Sequence, residues 1–169
     1  MTTHQEAATA AMLMNPQVKT VTGEMTLSEV VRFLIDHKLS IAPVVTEGPG
    51  KRKVVVGVIT EKDCVDHLTD EMFYGSPRPI QTVETMMNRH PVCIAPETEM
   101  FSLCSLFATH GLRHAPVTEE DGHLVGIIGR RDILKYLDKY CGDAQRESDL
   151  KRFRPDPRLV SNLRFFSKS

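Results

Sequence analysis

The feature that most constrains the fold of this chain is an internal repeat. Residues 14–44 align with residues 87–117 without a gap, at a constant offset of 73 positions. The identical positions are Met14/Met87, Asn15/Asn88, Glu24/Glu97, His37/His110, Leu39/Leu112, Ala42/Ala115, Pro43/Pro116 and Val44/Val117. Self-similarity at a fixed offset indicates duplication of one structural unit. A unit of about 55 to 60 residues buries too little surface to be stable alone, so we expect the two copies to pack together.

The offset falls to 69 after the Ala-Pro-Val segment, where Gly57 matches Gly126 and Asp63 matches Asp132. The difference lies in residues 47–53, whose Gly-Pro-Gly-Lys sequence is typical of a turn. Because a surface hairpin tolerates added residues at little cost, we place the insertion at a hairpin tip. On either side of it, β-branched residues predict an antiparallel hairpin in each copy.

Each copy also contains two predicted helices. The first helix has an apolar stripe at helical spacing, and its start carries a Thr26/Glu29 capping box. The stripe consists of Leu27, Val30, Val31, Leu34 and Ile35 in the first copy, and of Met100, Leu103, Cys104, Phe107 and Ala108 in the second. Both helices are predicted to end at a histidine. The buried positions predicted for the closing helices are Cys64, Val65 and Leu68 in one copy and Ile133, Leu134 and Leu137 in the other.

A short strand is expected before the first helix of each copy, at Thr20–Thr22 and at Cys93–Ala95. The predicted fold class is therefore α+β, with two tandem β-α-β-β-α units packed sheet to sheet. We expect the first unit to span residues 1–74, a linker residues 75–82, the second unit residues 83–141 and a basic-aromatic tail residues 142–169.

Composition narrows the functional classes. A net charge of −1 gives no general attraction to nucleic acid or membranes, and no secretory or membrane-spanning segment is recognisable, so we expect a cytoplasmic protein. The four cysteines lack a C-x-x-C spacing, which favours reduced, buried thiols. The spacing of His110 and His114 straddles a predicted helix end, so a metal site is not expected. No arrangement typical of a nucleophilic or acid–base catalyst is found, and we do not expect an enzyme.

The first candidate site is the junction of the first hairpin with its closing helix. Residues 57–63 read Gly-Val-Ile-Thr-Glu-Lys-Asp, in which Thr60 is a natural N-cap and Asp63 the third helical residue. Such a pair stabilises a helix without any ligand. The same junction presents free N–H groups to a phosphate, and Asp63 can accept hydrogen bonds from two vicinal ribose hydroxyls. The two interpretations are compatible, and both stay open.

The second copy reads Gly-Ile-Ile-Gly-Arg-Arg-Asp over residues 126–132, so Gly129 replaces the threonine. A glycine cap costs only a few tenths of a kcal/mol, so stability does not account for the exchange. Arg130 and Arg131 lie in the first helical turn, where the helix dipole disfavours each cation by roughly 0.3–1 kcal/mol. An anionic ligand would offset this cost, and two solvated arginines are the alternative.

With an Ala-Pro-Val strand, an acidic-glycine hairpin and a Gly-h-h-x-x-x-Asp helix start, where h is an apolar residue, the copies resemble the CBS domain family. The tandem resembles the pair known as a Bateman module, over residues 12–140. The resemblance implies two units related by a pseudo-twofold axis, with two clefts for adenosine-containing ligands such as AMP, ADP, ATP or S-adenosylmethionine. It also implies regulation of an unidentified partner protein without turnover, and a homodimer.

The resemblance also implies roles for individual residues. In the first cleft Asp63 would hold the ribose hydroxyls and Thr60 the ribose or a phosphate, while the base would lie beside Thr20, Val21, Thr22, Ile41, Ala42 and Pro43. In the second cleft Asp132 would hold a ribose, with Arg113, His114, Arg130 and Arg131 as phosphate contacts and Cys93, Ile94, Ala95, Ala115 and Pro116 along the base. Because Gly129 replaces the Thr or Ser usual in the family, we expect the second cleft to be weaker or empty.

Two other functional hypotheses remain. The chain would be a purely structural dimerisation module if Thr60 and Asp63 served only as a helix cap. It would be a nucleic-acid accessory protein if its C-terminal tail, which contains Phe153, Phe165 and Phe166 among basic residues, bound RNA or DNA. We favour docking of this tail on the module itself or on a dimer mate.

Overall fold

The computed structural model describes residues 8–74 and 80–143 of the 169-residue chain. The first copy contains α1 (Ala10–Leu13), α2 (Leu27–His37), β1 (Ile41–Glu47), β2 (Lys53–Thr60) and α3 (Glu61–Tyr74). The second contains α4 (Val83–Met86), α5 (Met100–Thr109), β3 (His114–Thr118), β4 (Leu124–Gly129) and α6 (Arg130–Asp143). Helices and two small antiparallel sheets confirm the predicted α+β class. Both hairpins lie in one compact unit, Met1–Ile133, and a second unit begins at Leu134.

The predicted hairpins are present in both copies. β1 pairs antiparallel with β2, and β3 pairs antiparallel with β4, each with one register shift after the Ala-Pro-Val segment. The expected extra strands are single parallel bridges, from Val21 to Val44 and from Ile94 to Val117. The insertion in the first hairpin forms a short 3-10 turn, Pro49–Lys51. It also carries Arg52, whose guanidinium forms ion pairs with Glu119 and Asp121 in the second hairpin.

The first helix of each copy buries a narrower stripe than the sequence predicts. The Thr26/Glu29 capping box is present, and α2 ends at His37 as predicted, whereas α5 ends at Thr109 with His110 as its C-cap. The buried stripe residues are Leu27, Val30 and Leu34 in α2 and Met100, Leu103 and Phe107 in α5. The expected burial of Ile35, which is 69% exposed, and of Ala108, which is also exposed, was wrong.

The closing helices bury only their first turn. Cys64 and Ile133 are buried as predicted, and Leu137 is half-buried. The expected burial of Val65, Leu68 and Leu134 was wrong, because these residues are exposed by 58%, 38% and 63%. Cys64 and Ile133 occupy the same position after the buried ends of β2 and β4. Val65 and Leu134 directly follow Cys64 and Ile133, and because successive helical residues point about 100° apart, they lie on another face of their helices.

The leading segments of the two copies are exchanged. Asn15 of the first copy pairs with Ile127 of β4, and Asn88 of the second pairs with Val58 of β2. The exchange continues to the helices, where Leu27 N–H donates to the carbonyl of Gln81 at 3.1 Å. Consequently Val83, Met86 and Met87 of the second copy pack in the same hydrophobic cluster as α2, β1 and β2.

This exchange explains why the repeat retains Met14/Met87 and Gly57/Gly126. A Cβ atom on Gly126 would lie 2.3 Å from the sulfur of Met14, and one on Gly57 would lie 2.6 Å from the sulfur of Met87. Each methionine therefore fills the space above a glycine of the other copy. A side chain on either glycine would force this contact apart.

Candidate ligand-binding clefts

The first candidate site lies where β2 runs into α3. Asp63 accepts hydrogen bonds through Oδ2 from the backbone N–H of Thr60 at 2.8 Å and from the hydroxyl of Thr60 at 2.6 Å. In return, Asp63 N–H donates to the Thr60 hydroxyl at 3.2 Å. The predicted cap is therefore present. In the part of the chain that the structure describes, these bonds leave Oδ1 of Asp63 available as an acceptor.

The cap also limits what Thr60 can do. A hydroxyl has one proton to donate, and that of Thr60 already goes to Asp63. The resemblance implies a contact of Thr60 with the ribose or a phosphate, and in this geometry the Thr60 hydroxyl donates to the Asp63 carboxylate.

The predicted base-lining residues of the first copy divide into core and surface. The side chains of Val21, Ala42 and Pro43 are fully buried, so towards solvent they offer only backbone. Ile41 lies directly opposite Thr60 across the hairpin, whereas the Val21 bridge lies three residues further along β1. This separation corresponds to about 10 Å at the usual rise of a strand. Thr20 and Thr22 have accessible side chains at that far end, and the Thr20 hydroxyl accepts a bond from Lys53 at 3.1 Å.

The second copy repeats the junction with a different side-chain pair. Oδ2 of Asp132 accepts a hydrogen bond from Gly129 N–H at 2.9 Å. His114 lies directly opposite Gly129 across the hairpin, as Ile41 lies opposite Thr60 in the first copy. A Cβ atom on Gly129 would lie 2.7 Å from Cδ2 and 3.0 Å from Nε2 of His114. The glycine therefore makes room for an imidazole beside Asp132, a reason that the sequence analysis missed although the alignment of the two hairpins contains it.

The basic residues of the second copy do not act as one group. Arg130 donates from its Nε and Nη2 atoms to the carbonyls of Leu112 and Gly111, beyond the end of α5. These bonds use only the Nε–H and one Nη2–H of its guanidinium, and the phosphate contact that the resemblance implies stays a prediction. Arg113 and Arg131 are exposed. Burial lowers the pKa of His114; Asp132 opposes this shift, while Arg113 and Arg130 add to it.

The remaining predicted residues of the second copy follow the pattern of the first. Ile94, Ala115 and Pro116 are buried in the core, whereas Ala95 and Cys93 are exposed. The expectation that the thiols are buried is thus wrong for Cys93. Partial burial of its sulfur nevertheless raises the pKa of the Cys93 thiol, and a hydrogen bond with Thr118 opposes that shift.

Outside the two clefts, the described residues give weaker indications of a functional site. No group of three or more His, Cys, Asp or Glu side chains in residues 8–74 and 80–143 is placed to hold a metal ion. None of the helices described has both the length and the apolar character that crossing a membrane requires. A groove of about 290 Å³ lies on α2 between residues such as Phe33 and Asp36, and it includes none of the predicted cleft residues. The predicted tail lies outside the described residues beyond residue 143.

Comparison with known proteins gives a consistent result. The model of the CBS domain family matches residues 10–70 and 83–139. An uncharacterized 17.7 kDa protein of Acidianus ambivalens is 26% identical over 132 residues, which are 78% of this chain and 74% of that protein.

Solved structures of CBS domain pairs share the fold. The CBS pair of protein MJ0100, in complex with 5′-methylthioadenosine and S-adenosyl-L-methionine, superposes with a TM-score of 0.67 at 19% identity, covering 79% of this chain and 98% of that one. The cytosolic domain of the Mg²⁺ channel MgtE, in complex with ATP, gives a TM-score of 0.62 at 27% identity and covers 78% of this chain. This chain spans 49% of that MgtE structure. The chain belongs to the CBS domain family and contains two copies of the domain in tandem.

Proposed function

We propose that this chain is a regulatory module that binds adenosine-containing ligands at the two strand–helix junctions and thereby modulates a partner protein. The observation that carries the proposal is the Asp63 carboxylate, held by Thr60 at the end of a buried strand and repeated at Asp132. The MJ0100 pair with its S-adenosyl-L-methionine and methylthioadenosine, and the MgtE domain with its ATP, support this ligand class.

The geometry of the first copy suits a nucleoside. Asp63 presents Oδ1, whose two lone pairs can accept from the two neighbouring hydroxyls of a ribose, while Oδ2 is engaged with Thr60. Hydrogen bonds to a charged acceptor contribute roughly 1.5–3 kcal/mol each. The base would extend along β1 from Ile41 towards Thr22, a distance of about 10 Å. Backbone groups of Val21, Ala42 and Pro43 and the accessible side chains at either end would surround it.

The second copy supplies the same elements with one change. Asp132 would hold the ribose, Cys93 and Ala95 would lie beside the base, and His114 would contact the ligand where the first copy has Ile41. We also propose that residues 75–82 form a linker and that a tail begins at residue 142. A cytoplasmic location is part of the same proposal. Regulation without catalysis is part of the same proposal.

Exposed apolar side chains support a homodimer as the form of the module. Val65, Leu68 and Phe73 lie on α3 and are exposed by 58%, 38% and 80%. Apolar residues grouped on one helix mark interaction surfaces in soluble proteins. The same observation favours the second candidate function, a dimerisation module whose junctions serve only as helix caps.

Asp63→Glu separates the two candidate functions. A Thr-x-x-Glu sequence is an effective capping box, as Thr26 and Glu29 show in α2 of this chain. The variant therefore keeps the cap but moves the carboxylate by one methylene group. For the ligand that occupies the first cleft we expect at least a tenfold loss of affinity, identified by calorimetry with AMP, ATP and S-adenosylmethionine, at an unfolding free energy within about 0.5 kcal/mol of the parent.

Asp66→Ala is the matched control, because Asp66 lies on the same helix and pairs with Lys62 at the surface. It should leave ligand affinity unchanged. If no adenosine ligand binds the parent chain, or if Asp63→Glu binds every one of these ligands as tightly as the parent, the proposed function is wrong for the first cleft and the capping function of Asp63 alone stands.

A further inference from the structure

The two clefts share one backbone frame. Glu61 N–H donates to the carbonyl of Ser40 at 3.0 Å, and Arg130 N–H donates to the carbonyl of Arg113 at 3.0 Å. These bonds connect the first residue of each closing helix to the residue before the Ala-Pro-Val strand. The carboxylates of Asp63 and Asp132 both occupy the third position of their helices. Differences between the clefts therefore come from side chains.

Those side chains carry opposite charge. The five positions around each carboxylate are Ser40, Ile41, Thr60, Glu61 and Lys62 in the first copy, and Arg113, His114, Gly129, Arg130 and Arg131 in the second. With its carboxylate included, the first set has one lysine against two acids, and the second has three arginines against one acid. The formal charges are thus −1 and +2 with histidine neutral.

The hydrogen bonds widen this difference. Lys62 already forms an ion pair with Asp66, one turn along α3. Arg113 and Arg131 form no ion pair with any residue in the described ranges, and both are exposed. The first cleft thus has no uncommitted cation at these positions, whereas the second has two. Arg130 keeps its charge in the second cleft, although its Nε–H and one Nη2–H are engaged with backbone carbonyls.

The geometry at Gly129 adds a second distinction. In the first copy the Thr60 hydroxyl donates to the Asp63 carboxylate. In the second copy Nε2 of His114 lies close to where a side chain on Gly129 would begin. A Cβ atom on Gly129 would lie 3.0 Å from Nε2 of His114 and 3.4 Å from Oδ2 of Asp132. Asp132 is consequently flanked by an imidazole, with Arg113 as the preceding residue on the strand.

From these contrasts we propose that the two clefts select adenosine ligands by charge. The second cleft takes the polyphosphorylated nucleotide, ATP or ADP, through Arg113 and Arg131, and the first takes an adenosine derivative without phosphate. This inference rests on the proposed function, since it assigns ligand classes to the same two sites. It replaces the expectation that the second cleft binds its ligand more weakly than the first. The space beside Gly129 is filled by the His114 imidazole, so the loss of the threonine side chain leaves no gap.

The test uses the full chain and two probes of opposite character, ATP and the uncharged 5′-methylthioadenosine. Arg113→Gln combined with Arg131→Gln should weaken ATP binding at least tenfold in calorimetry, because charge-assisted contacts to phosphate are lost. The same variant should bind methylthioadenosine within twofold of the parent. Lys62→Gln, at the position that corresponds to Arg131, is the matched control and should leave ATP affinity within twofold.

Removing each carboxylate assigns the probes to their clefts. Asp132→Asn should abolish the ATP site and leave the methylthioadenosine site, and Asp63→Asn should do the reverse. If ATP affinity falls equally in Lys62→Gln and in the double variant, or if both probes depend on the same carboxylate, the division by charge is wrong while the proposed function stands. If neither probe binds the parent chain, both proposals are wrong. A circular dichroism spectrum and melting temperature for each variant show whether a loss of binding reflects a loss of fold.

Discussion

Replacing Gly129 with threonine tests the contact between Gly129 and His114. The substitution gives the second copy the residue of the first, and on cap preference alone it would stabilise the chain by a few tenths of a kcal/mol. The structure predicts the opposite. The new Cβ would lie 2.7 Å from Cδ2 of His114, closer than carbon atoms pack. Overpacking of this kind costs about 1–3 kcal/mol.

A second substitution shows whether the imidazole is the cause. His114→Ile with Gly129→Thr recreates the pair Ile41/Thr60, which faces across the first hairpin in the same register. We therefore expect the double variant to recover most of the lost stability. In a double-mutant cycle the coupling free energy between positions in contact is about 0.5–3 kcal/mol.

Urea unfolding near pH 8, where His114 is neutral, measures all four chains. For a domain of this size, each kcal/mol corresponds to a shift of about 2–4 °C in melting temperature, which provides a second readout. If Gly129→Thr is as stable as the parent, or if the two substitutions are additive within about 0.3 kcal/mol, the steric explanation of Gly129 is refuted.

Three further predictions follow from burial and charge. Burial lowers the pKa of His114 below its unfolded value of 6.5. The stabilising contribution of this residue is therefore complete above pH 6.5 and is lost as the pH falls from 6.5 towards the lower, folded pKa. Urea unfolding at several pH values should show this loss in the parent and not in His114→Ile. Leu34→Ala should destabilise the chain by about 2–5 kcal/mol and Ile35→Ala by less than about 0.5, since one is buried and its neighbour exposed; equal effects would contradict the assigned helix face. Gly126→Ala should lower the melting temperature because its Cβ meets Met14, and combination with Met14→Ala should restore part of the loss; a Gly126→Ala chain as stable as the parent would contradict the packing of the exchanged segments.

The sequence predicts the elements of this fold well because their signals are local. Alternation of β-branched residues and the Gly-Pro-Gly-Lys turn define the first hairpin, and the Thr26/Glu29 box defines the start of α2. Both depend on residues within a few positions of one another. The cap of Asp63 by Thr60 was predictable for the same reason.

Long-range pairing was not predictable in this way. Met14 and Met87 occupy equivalent positions in the repeat and both precede an asparagine, so the sequence does not show whether each packs on the glycine of its own copy or on that of the other. Helical periodicity likewise marks apolar residues without showing whether a partner covers them, which explains the errors at Ile35 and Val65. The hydrogen bonds of Arg130 were not predictable for the same reason, since its carbonyl acceptors lie 18 and 19 residues away in sequence.

The exchange of leading segments determines what the smallest self-sufficient piece of this protein is. If the chain were cut within residues 75–82, each half would lack the strand neighbour that the other half supplies, because Asn15 and Asn88 pair across the copies. Each half would also lack the methionine side chain that covers its glycine. Such halves are complementary fragments, not domains, and should regain structure only when mixed. A single copy expressed alone would form the same contacts by exchanging its leading segment with that of an identical chain. The covalent connection between the copies then fixes their stoichiometry, while the exchanged leading segments contribute the contacts between the copies.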